Sequence, residues 1–252
     1  MELTPFTDDI LRFLERHHFR SVTPRAALVD MDGTLYDSMP NHARAWQRMM
    51  SELGIDRPLE QFFMYEGRTG ASTINILFNE ARHRDATPEE IEEYYGRKKK
   101  YFTEQPPVKP MPGALDLMNL FATVGMKRVL VTGSGQSTLI NRLSTDYPGI
   151  FAPGMMVTSR DVTHGKPHPE PFIRAMQLAG VSPSASMVIE NAPLGVKAGE
   201  SAGAFTVGVT TGPIPADALR EAGAAVVFNS MPECAEQMPL LLYSLLNTRR
   251  DV

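Results

Sequence analysis

The chain has 252 residues, 42% hydrophobic and 21% charged, which suits a globular protein of one large or two modest domains. Its formal net charge of -4 predicts no basic surface, so neither nucleic acid nor a membrane is expected as a partner. The single cysteine, Cys234, excludes an intrachain disulfide and a cysteine-based zinc site. No apolar run has membrane-spanning length and no signal-peptide pattern is present, so we expect a cytoplasmic protein that acts as a monomer.

The first two predicted elements are a helix and a strand. Residues 4–20 carry apolar side chains at helical spacing, so this helix is expected to pack beside a sheet. Residues 26–31 form an apolar run of strand type that ends in two carboxylates, Asp30 and Asp32. Gly33 supplies the backbone freedom of a sharp turn. Taken alone, Asp32 and Gly33 would equally fit a simple turn that closes the strand.

The segment from about 38 to 105 shows no strand pattern. Helical patterns cover residues 39–54, 58–64, 71–83 and 88–103, and a proline-rich linker over residues 105–113 follows them. We therefore predict an all-helical cap over residues 37–109. The catalytic core would then consist of residues 1–36 and 110–252.

Helices and strands alternate after the linker. Helices are predicted over residues 113–124, 136–145, 169–180, 193–202, 215–222 and 232–247. Strands are predicted over residues 127–132, 155–157, 186–190, 204–209 and 225–228. This alternation indicates a parallel sheet with right-handed crossovers. The predicted fold class is α/β, with a Rossmann-like parallel-sheet core and an inserted α-helical cap.

Polar side chains follow several predicted strands, where a parallel sheet places its chemistry. They are Asp30 and Asp32, Thr132, Lys166 in a later loop, and Glu190 with Asn191. The run of residues 133–138 begins like a dinucleotide-binding loop, but Thr138 stands where the third glycine would be, which disfavours a nucleotide site.

Four segments resemble, in chain order, the motifs of the haloacid dehalogenase superfamily of aspartyl phosphotransferases. They are residues 30–35 (DMDGTL), 129–133 (VLVTG), 165–172 (GKPHPEPF) and 188–199 (VIENAPLGVKAG). The helical insert after the first motif resembles the cap of the branch that includes β-phosphoglucomutases and small-metabolite phosphatases. The resemblance covers about residues 24–230 and leaves the N-terminal helix, residues 1–22, outside it.

The resemblance implies a role for each polar residue. Asp30 would attack phosphorus as the nucleophile, and Asp32 would act as general acid and then general base. Thr132 and the N–H of Gly133 would hold phosphate oxygens, and Lys166 would offset negative charge. Superfamily members that dehalogenate lack the second carboxylate, so Asp32 favours phosphoryl transfer.

The implied cofactor is Mg²⁺, a hard cation that prefers oxygen ligands. Its expected ligands are Asp30, the backbone carbonyl of Asp32, Asn191 and Glu190. The position after Glu190 is commonly Asp in this family, and the amide of Asn191 carries no charge. Glu66, in the cap, is the candidate for the missing carboxylate.

The cap offers further candidate site residues. Residues 66–70 hold two glycines, and by the resemblance this loop lies over the site and binds substrate, with Arg68 as the contact; a plain turn is the alternative. His42, early in the first cap helix, would reach substrate or Asp32, or else make a hinge hydrogen bond. The basic run of residues 97–100 is typical of a solvated helix face, although one lysine could face an anionic substrate.

Three residues of the core leave two interpretations open. Ser134 is a candidate for substrate binding or for helix capping. His164 and His168 flank Lys166, and either one could line the cleft or simply add polarity to the loop.

We therefore expect a magnesium-dependent phosphohydrolase that acts through an aspartyl phosphate on a small phosphorylated metabolite. Inorganic pyrophosphate is the first choice, because some pyrophosphatases of this branch resemble the chain at the cap loop and at Asn191. A β-phosphoglucomutase or a sugar-phosphate phosphatase is the alternative. A non-catalytic binding protein, damaged at Asn191, is a further alternative, which the intact Asp30, Asp32, Thr132 and Lys166 disfavour.

Overall fold

The computed structural model describes residues 4–134 and 137–250. Six parallel strands form one sheet in the order β3-β2-β1-β4-β5-β6. The strands are β1 (Ala26–Val29), β2 (Lys127–Val131), β3 (Met156–Val157), β4 (Ser186–Glu190), β5 (Phe205–Val209) and β6 (Val226–Phe228). This confirms the predicted α/β class with a parallel sheet.

Eleven α-helices and one short 3-10 helix are found among the described residues. The α-helices are α1 (Thr7–Arg16), α2 (Met39–Ser51), α3 (Leu59–Phe63), α4 (Gly70–Arg82), α5 (Pro88–Thr103), α6 (Ala114–Thr123), α7 (Ser137–Asp146), α8 (Glu170–Ala179), α9 (Pro193–Ser201), α10 (Ala216–Glu221) and α11 (Met231–Asn247). The 3-10 helix is Pro183–Ala185. In the described part of the chain, none of these helices is both long and apolar enough to cross a bilayer.

Strand β1 lies at the centre of the sheet and places the polar strand ends together. It pairs with β2 on one side and with β4 on the other, and Val29 is level with Leu130 and with Ile189. The chain order therefore reverses around β1, which opens a crevice beyond the carboxyl ends of these three strands. The residues that follow β1, β2 and β4 meet at that crevice.

The sheet is buried on both faces, as expected for a parallel sheet between helices. Successive residues of β1 alternate between the faces. Leu28 packs in a cluster with Phe172 of α8, whereas Val29 belongs to the larger cluster that includes Phe121 of α6 and Leu241 of α11. All four residues of β1 are fully buried, so this strand is a rigid base for the groups that follow it.

The N-terminal helix packs beside the sheet, as its apolar pattern predicts. The ring of Phe13 meets that of Phe205 in β5 edge-on, with the ring centroids 5.1 Å apart. The helix ends at Arg16 rather than near residue 20, because His18 takes a left-handed conformation (φ 56°). That turn brings Phe19 back against Phe13.

Helices α2 to α5 form the helical insert, defined here as residues 37–109. Helix α5 begins with a capping box, in which Thr87 and Glu90 satisfy each other's backbone N–H groups. The two chain segments that join the insert to the sheet run side by side, with Asp37 N donating to Lys109 O at 3.0 Å and Met111 N to Leu35 O at 2.8 Å.

The predicted elements and the observed ones differ mainly at their ends. Strand β1 stops at Val29, although Asp30 N still donates to Ile189 O at 3.1 Å and so holds Asp30 at the strand tip. Residues 135–136, where a helix start and part of the dinucleotide-like run were predicted, lie outside the described residues.

Candidate active site

Asp30 lies at the tip of β1 in a buried chain of charged groups. Lys166 Nζ donates to Asp30 Oδ1 at 2.5 Å, to Glu190 Oε1 at 2.6 Å and to Val131 O at 3.1 Å. Burial and the neighbouring Glu190 raise the pKa of Asp30 to about 8. Burial lowers the pKa of Lys166, but Asp30 and Glu190 outweigh it, so the net shift is upward and the ammonium stays charged.

Glu190 is fixed by the backbone that follows it. Its Oε2 accepts from Asn191 N at 2.9 Å and from Ala192 N at 3.0 Å. Gly195 in α9 approaches so closely that a Cβ there would lie 1.7 Å from Glu190 Oε1. The carboxylate is therefore held rigidly and orients Lys166 toward Asp30.

Asp32 is held by a second network, which enters from the helical insert. Its Oδ1 accepts from Ser38 Oγ at 2.7 Å and lies 2.9 Å from His42 Nε2. His42 Nδ1 in turn lies 2.5 Å from Lys98 Nζ, so Nδ1 accepts from the ammonium and Nε2–H donates to Asp32. Burial raises the pKa of Asp32, but His42 and Ser38 outweigh it and lower the pKa overall.

Lys98 is the residue of the basic run that turns inward. Its side chain is buried (2% exposed), and burial lowers its pKa to about 8. Its neighbour Arg97 instead pairs with Glu52 at the surface. The interpretation of this run as a solvated helix face is therefore wrong for Lys98, whereas Lys99 and Lys100 are exposed as expected.

The loop after β2 forms the opposite wall of the cleft. Thr132 N donates to Val157 O at 2.9 Å, and Thr132 Oγ1 accepts from Ser134 N at 3.0 Å. Thr132, Gly133 and Ser134 all line the cleft. Backbone N–H and hydroxyl groups in this position suit the oxygens of a phosphoryl group.

The insert loop of residues 66–70 lies directly on this wall. A Cβ on Gly133 would lie 2.6 Å from Gly67 O, and one on Gly165 would lie 2.7 Å from Thr69 Cγ2. Gly67 has φ 86°, a conformation that favours glycine. The predicted close approach of this loop to the core is present, and its binding of substrate stays a prediction.

Glu66 brings a further carboxylate into the cleft. Burial raises its pKa well above the usual range, and Asp32, Asp30 and Glu190 raise it further, while Lys98 opposes them. Arg68 also lines the cleft, and its Nε is buried without a hydrogen-bond partner among the residues that the structure describes. Its Nη1 donates to Ser72 Oγ at 3.4 Å.

The closed cleft is small, with a volume of about 40 Å³. That is room for a few water molecules, far below the 300–1,000 Å³ or so of a drug-sized ligand site. The core contributes Asp30, Asp32 and residues 132–134 and 190–192, and the insert contributes His42, Trp46, Tyr65 to Arg68, Gly70, Thr73, Tyr95 and Lys98. The insert therefore determines the space beside Asp30.

The donor set of this cleft fits a divalent cation. Four carboxylates, those of Asp30, Asp32, Glu66 and Glu190, face the ammonium groups of Lys98 and Lys166, so full ionisation would leave an excess of two negative charges, which a divalent cation would balance. Carboxylate and amide oxygens are the ligands that Mg²⁺ prefers. Mg²⁺ among them would favour the ionised form of Asp30.

Asn191 lies at the cleft beside the first turn of the chain after β1. Its side-chain oxygen accepts from Thr34 Oγ1 at 3.3 Å, and a Cβ on Gly33 would lie 2.0 Å from its Nδ2. Asn191 is 3% exposed and lines the cleft. Its amide oxygen is a possible cation ligand without charge. Glu66 therefore stays the predicted source of the carboxylate that the position of Asn191 lacks.

The structure brings the predicted residues Asp30, Asp32, Thr132, Lys166 and Glu190 together. Gly133, Ser134, His42, Arg68, Asn191 and Glu66 also lie at the cleft.

The hypothesis that His164 or His168 lines the cleft is wrong, because both rings are exposed on the outside of the Lys166 loop. Ser38 was missed, whereas the alternative that one lysine of residues 97–100 faces the site is met by Lys98, which spacing alone did not single out.

Known proteins are similar to this chain in sequence and in fold. The family model of haloacid dehalogenase-like hydrolases matches residues 24–203. Hexitol phosphatase A of Escherichia coli is 30% identical over 82% of this chain and 91% of its own. Glycerol-1-phosphate phosphohydrolase 2 of Saccharomyces cerevisiae is 28% identical over 82% of each chain. A solved structure from Bacteroides vulgatus, provisionally described as a β-phosphoglucomutase, is 44% identical with a TM-score of 0.92, over 95% of this chain and 98% of its own.

Proposed function

The chain belongs to the haloacid dehalogenase-like hydrolase family, and we propose that it is a magnesium-dependent phosphohydrolase that acts through an aspartyl phosphate on Asp30. The observation that carries this proposal is the position of Asp30, buried at the tip of β1 with Lys166 at 2.5 Å and the wall of residues 132–134 opposite. A carboxylate so placed is a nucleophile with phosphate-binding groups in front of it.

The proposed reaction has two displacements on phosphorus. A carboxylate oxygen of Asp30 forms a bond to phosphorus while the bond to the leaving oxygen breaks, and Asp32 gives that oxygen a proton. Asp32 then takes a proton from water, whose oxygen bonds to phosphorus as the bond to Asp30 breaks, which releases phosphate and restores the carboxylate of Asp30 and the protonated form of Asp32. Mg²⁺, when bound, offsets the charge of the phosphoryl oxygens and of the carboxylates.

The second network keeps Asp32 in place for both displacements. Ser38 and His42 donate to the same oxygen of Asp32, and Lys98 fixes the tautomer of His42. The lowered pKa of Asp32 favours its ionised form, which suits the deprotonation of water. A phosphate leaving group needs less help from an acid than the alkoxide of a sugar, because it is the weaker base.

For the substrate, the comparisons and the cleft point in different directions. The named curated relatives act on hexitol phosphate and glycerol 1-phosphate, and the B. vulgatus structure is described as a sugar-phosphate mutase. These relatives support a carbohydrate phosphate, and none of them is named for pyrophosphate. The closed cleft of about 40 Å³ and the carboxylate of Glu66 support a smaller substrate with a charged leaving group.

On the comparisons, we favour a sugar or polyol phosphate, with inorganic pyrophosphate, which the small cleft supports, as the second candidate. For pyrophosphate, Glu66 would be a further cation ligand beside Asp30, and Arg68, on the same loop, would offer a guanidinium to the second phosphate. A hexose would require the insert to move away from the wall of residues 132–134, and Glu66 would move with it.

The function is tested by phosphate release from pyrophosphate, glycerol 1-phosphate, a hexitol phosphate and β-glucose 1-phosphate, each with Mg²⁺ and with EDTA. We expect Mg²⁺-dependent release that Asp30→Asn lowers by several orders of magnitude. Asp116→Asn, an exposed change on α6, is the matched control and should keep wild-type turnover. An Asp30→Asn protein with near-normal turnover contradicts the mechanism, and release of glucose 6-phosphate from β-glucose 1-phosphate would identify a mutase.

Substitution of Glu66 distinguishes between pyrophosphate and a carbohydrate phosphate as the substrate. If Glu66 holds the cation, Glu66→Gln should weaken activation by Mg²⁺ roughly tenfold or more, by analogy with other metal-site substitutions, and should lower pyrophosphate hydrolysis more than hydrolysis of a carbohydrate phosphate. Glu60→Gln, on the exposed face of α3, is the control. A wild-type preference for pyrophosphate together with this selective loss in Glu66→Gln would replace the first candidate by the second, whereas an unchanged Mg²⁺ dependence would remove Glu66 from the cation site.

A further inference from the structure

The segment that carries Lys166 has two faces of different chemistry. Lys166 points inward and is 2% exposed, whereas His164 and His168 lie on the outer surface. Glu170, the first residue of α8, lies beside them. One ligand atom from each of His164, His168 and Glu170 lies within 4.8 Å of those of the other two.

Hydrogen bonds already hold these three residues in place. Glu170 Oε1 accepts from Thr163 N at 2.9 Å, and Oε2 accepts from His164 N at 2.9 Å. The rings of His164 and His168 face each other with their centroids 4.7 Å apart. His168 N donates to Gly165 O at 3.0 Å, which closes the turn between the two histidines. Binding of a ligand here therefore causes little loss of backbone conformational entropy.

The ligand set belongs to a different class of metal from that of the cleft. Two imidazoles and one carboxylate, with water in the remaining position, are ligands typical of zinc and its neighbours in the first transition row. Mg²⁺ prefers an all-oxygen set and is not expected to compete for imidazole. The three side chains are absent from the lining of the catalytic cleft.

We propose that His164, His168 and Glu170 form a surface site for a divalent transition-metal ion of the zinc class. The ion takes the place of the proton between His164 Nδ1 and Glu170 Oε2, which lie 3.1 Å apart. At His168 it replaces the 3.2 Å hydrogen bond from Glu170 N to Nδ1, and that exposed N–H is then left to water. Occupancy ties the two ends of the Lys166 segment together from outside, without a ligand from the catalytic cleft.

The site is tested by calorimetric titration of the whole protein with Zn²⁺ in the presence of saturating Mg²⁺, which occupies the oxygen ligands of the cleft. We expect one equivalent of Zn²⁺ to bind, and the double variant His164→Asn, His168→Asn to bind it at least tenfold more weakly. His83→Asn is the control, because His83 is an exposed histidine in a left-handed conformation that asparagine also tolerates. Its affinity for Zn²⁺ should equal that of the wild type.

Nitrogen NMR of the histidine rings assigns the site in the same samples. Zn²⁺ should shift the ring nitrogens of His164 and His168 and leave those of His42 unchanged. Wild-type affinity in the double variant, or shifts at His42 in place of the two surface histidines, would overturn the proposal. The double variant should keep its Mg²⁺-dependent phosphate release, so the zinc site and the proposed phosphohydrolase activity can fail separately.

Discussion

The contact between Gly133 and Gly67 makes closure of the insert sensitive to a single methyl group. In Gly133→Ala, the new Cβ would lie 2.6 Å from Gly67 O and 3.3 Å from Arg68 O, both backbone atoms that cannot rotate away. Ordinary van der Waals contact begins near 3.4 Å, so the insert loop must retreat by about 0.8 Å. Glu66, next to Gly67, retreats with it.

A displacement of this size at a catalytic site can cost roughly 10²-fold in rate. We therefore expect Gly133→Ala to lower kcat/KM by roughly 10- to 100-fold, which is about 1.4–2.7 kcal/mol of transition-state stabilisation. The thermal midpoint should change little, because the packing of the sheet is untouched. The assay is steady-state phosphate release with the best substrate of the panel at saturating Mg²⁺.

Gly165→Ala is the matched control for this substitution. Its Cβ would meet Thr69 Cγ2 at 2.7 Å, which is a side-chain contact, so the adjustment falls on the Thr69 side chain and its hydrogen bond from Ser72 N and not on the backbone beside Glu66. The loss in kcat/KM should therefore be clearly smaller than for Gly133→Ala. A Gly133→Ala enzyme within twofold of the wild type, or one weakened no more than Gly165→Ala, would refute the closed contact as a requirement for catalysis.

Three further predictions concern stability and the charged groups. Gly96→Ala adds a methyl group to α5 where nothing lies within 4 Å, so it should raise the free energy of unfolding by roughly 0.5–1 kcal/mol in chemical denaturation; a decrease would contradict the open position. Gly195→Ala would place a Cβ 1.7 Å from Glu190 Oε1 and should lower kcat at least tenfold with a smaller effect on KM, whereas unchanged kinetics would show that the orientation of Glu190 is unimportant. The raised pKa values of Asp30, about 8, and of Glu66 mean that the folded chain binds protons that the unfolded chain has lost. In EDTA the free energy of unfolding should therefore fall as pH rises from about 6.5 to 7.5, by at most about 1.4 kcal/mol per pH unit for each group, and the thermal midpoint should fall with it, against the smaller opposite effect of the lowered pKa of His42. Mg²⁺ should flatten that slope by favouring the ionised carboxylates, and a midpoint that rises over this range in EDTA would contradict the assignment.

The fold and the core of the site could be predicted because they depend on chain order and strand ends. An apolar run such as residues 26–29 specifies a buried strand, and parallel pairing brings the residues after neighbouring strands to one edge. That rule places Asp30 beside Thr132 and Glu190 without knowledge of any side-chain contact. The sequence pattern was therefore sufficient for the position of Asp30 and its immediate neighbours, whereas the role of Asp30 as a nucleophile came from the family resemblance and stays a prediction.

The contribution of the insert was harder to predict because it depends on how a separate helical unit is oriented. Lys98 lies in a run of four basic residues, and only the packing of α5 against α2 decides which one is buried beside His42. Likewise, His164 and His168 are near Lys166 in sequence but point the opposite way. Side-chain direction in a helix or loop follows from tertiary packing, which spacing alone does not determine.

The paired linkers between sheet and insert have a consequence for how substrate range can change. The bridge between Tyr36 and Pro110 and the backbone bonds beside it make the two junctions neighbours in space, and Arg142 Nη1 holds the second one by donating to Val108 O at 2.8 Å. A different insert could therefore be spliced in at one point of the surface without altering the register of any strand. Under the proposed function, Asp30 and Lys166 of the core and Glu66 and Arg68 of the insert thus lie on separable segments, whereas Ser38, His42 and Lys98 make the position of Asp32 depend on the insert that the chain carries.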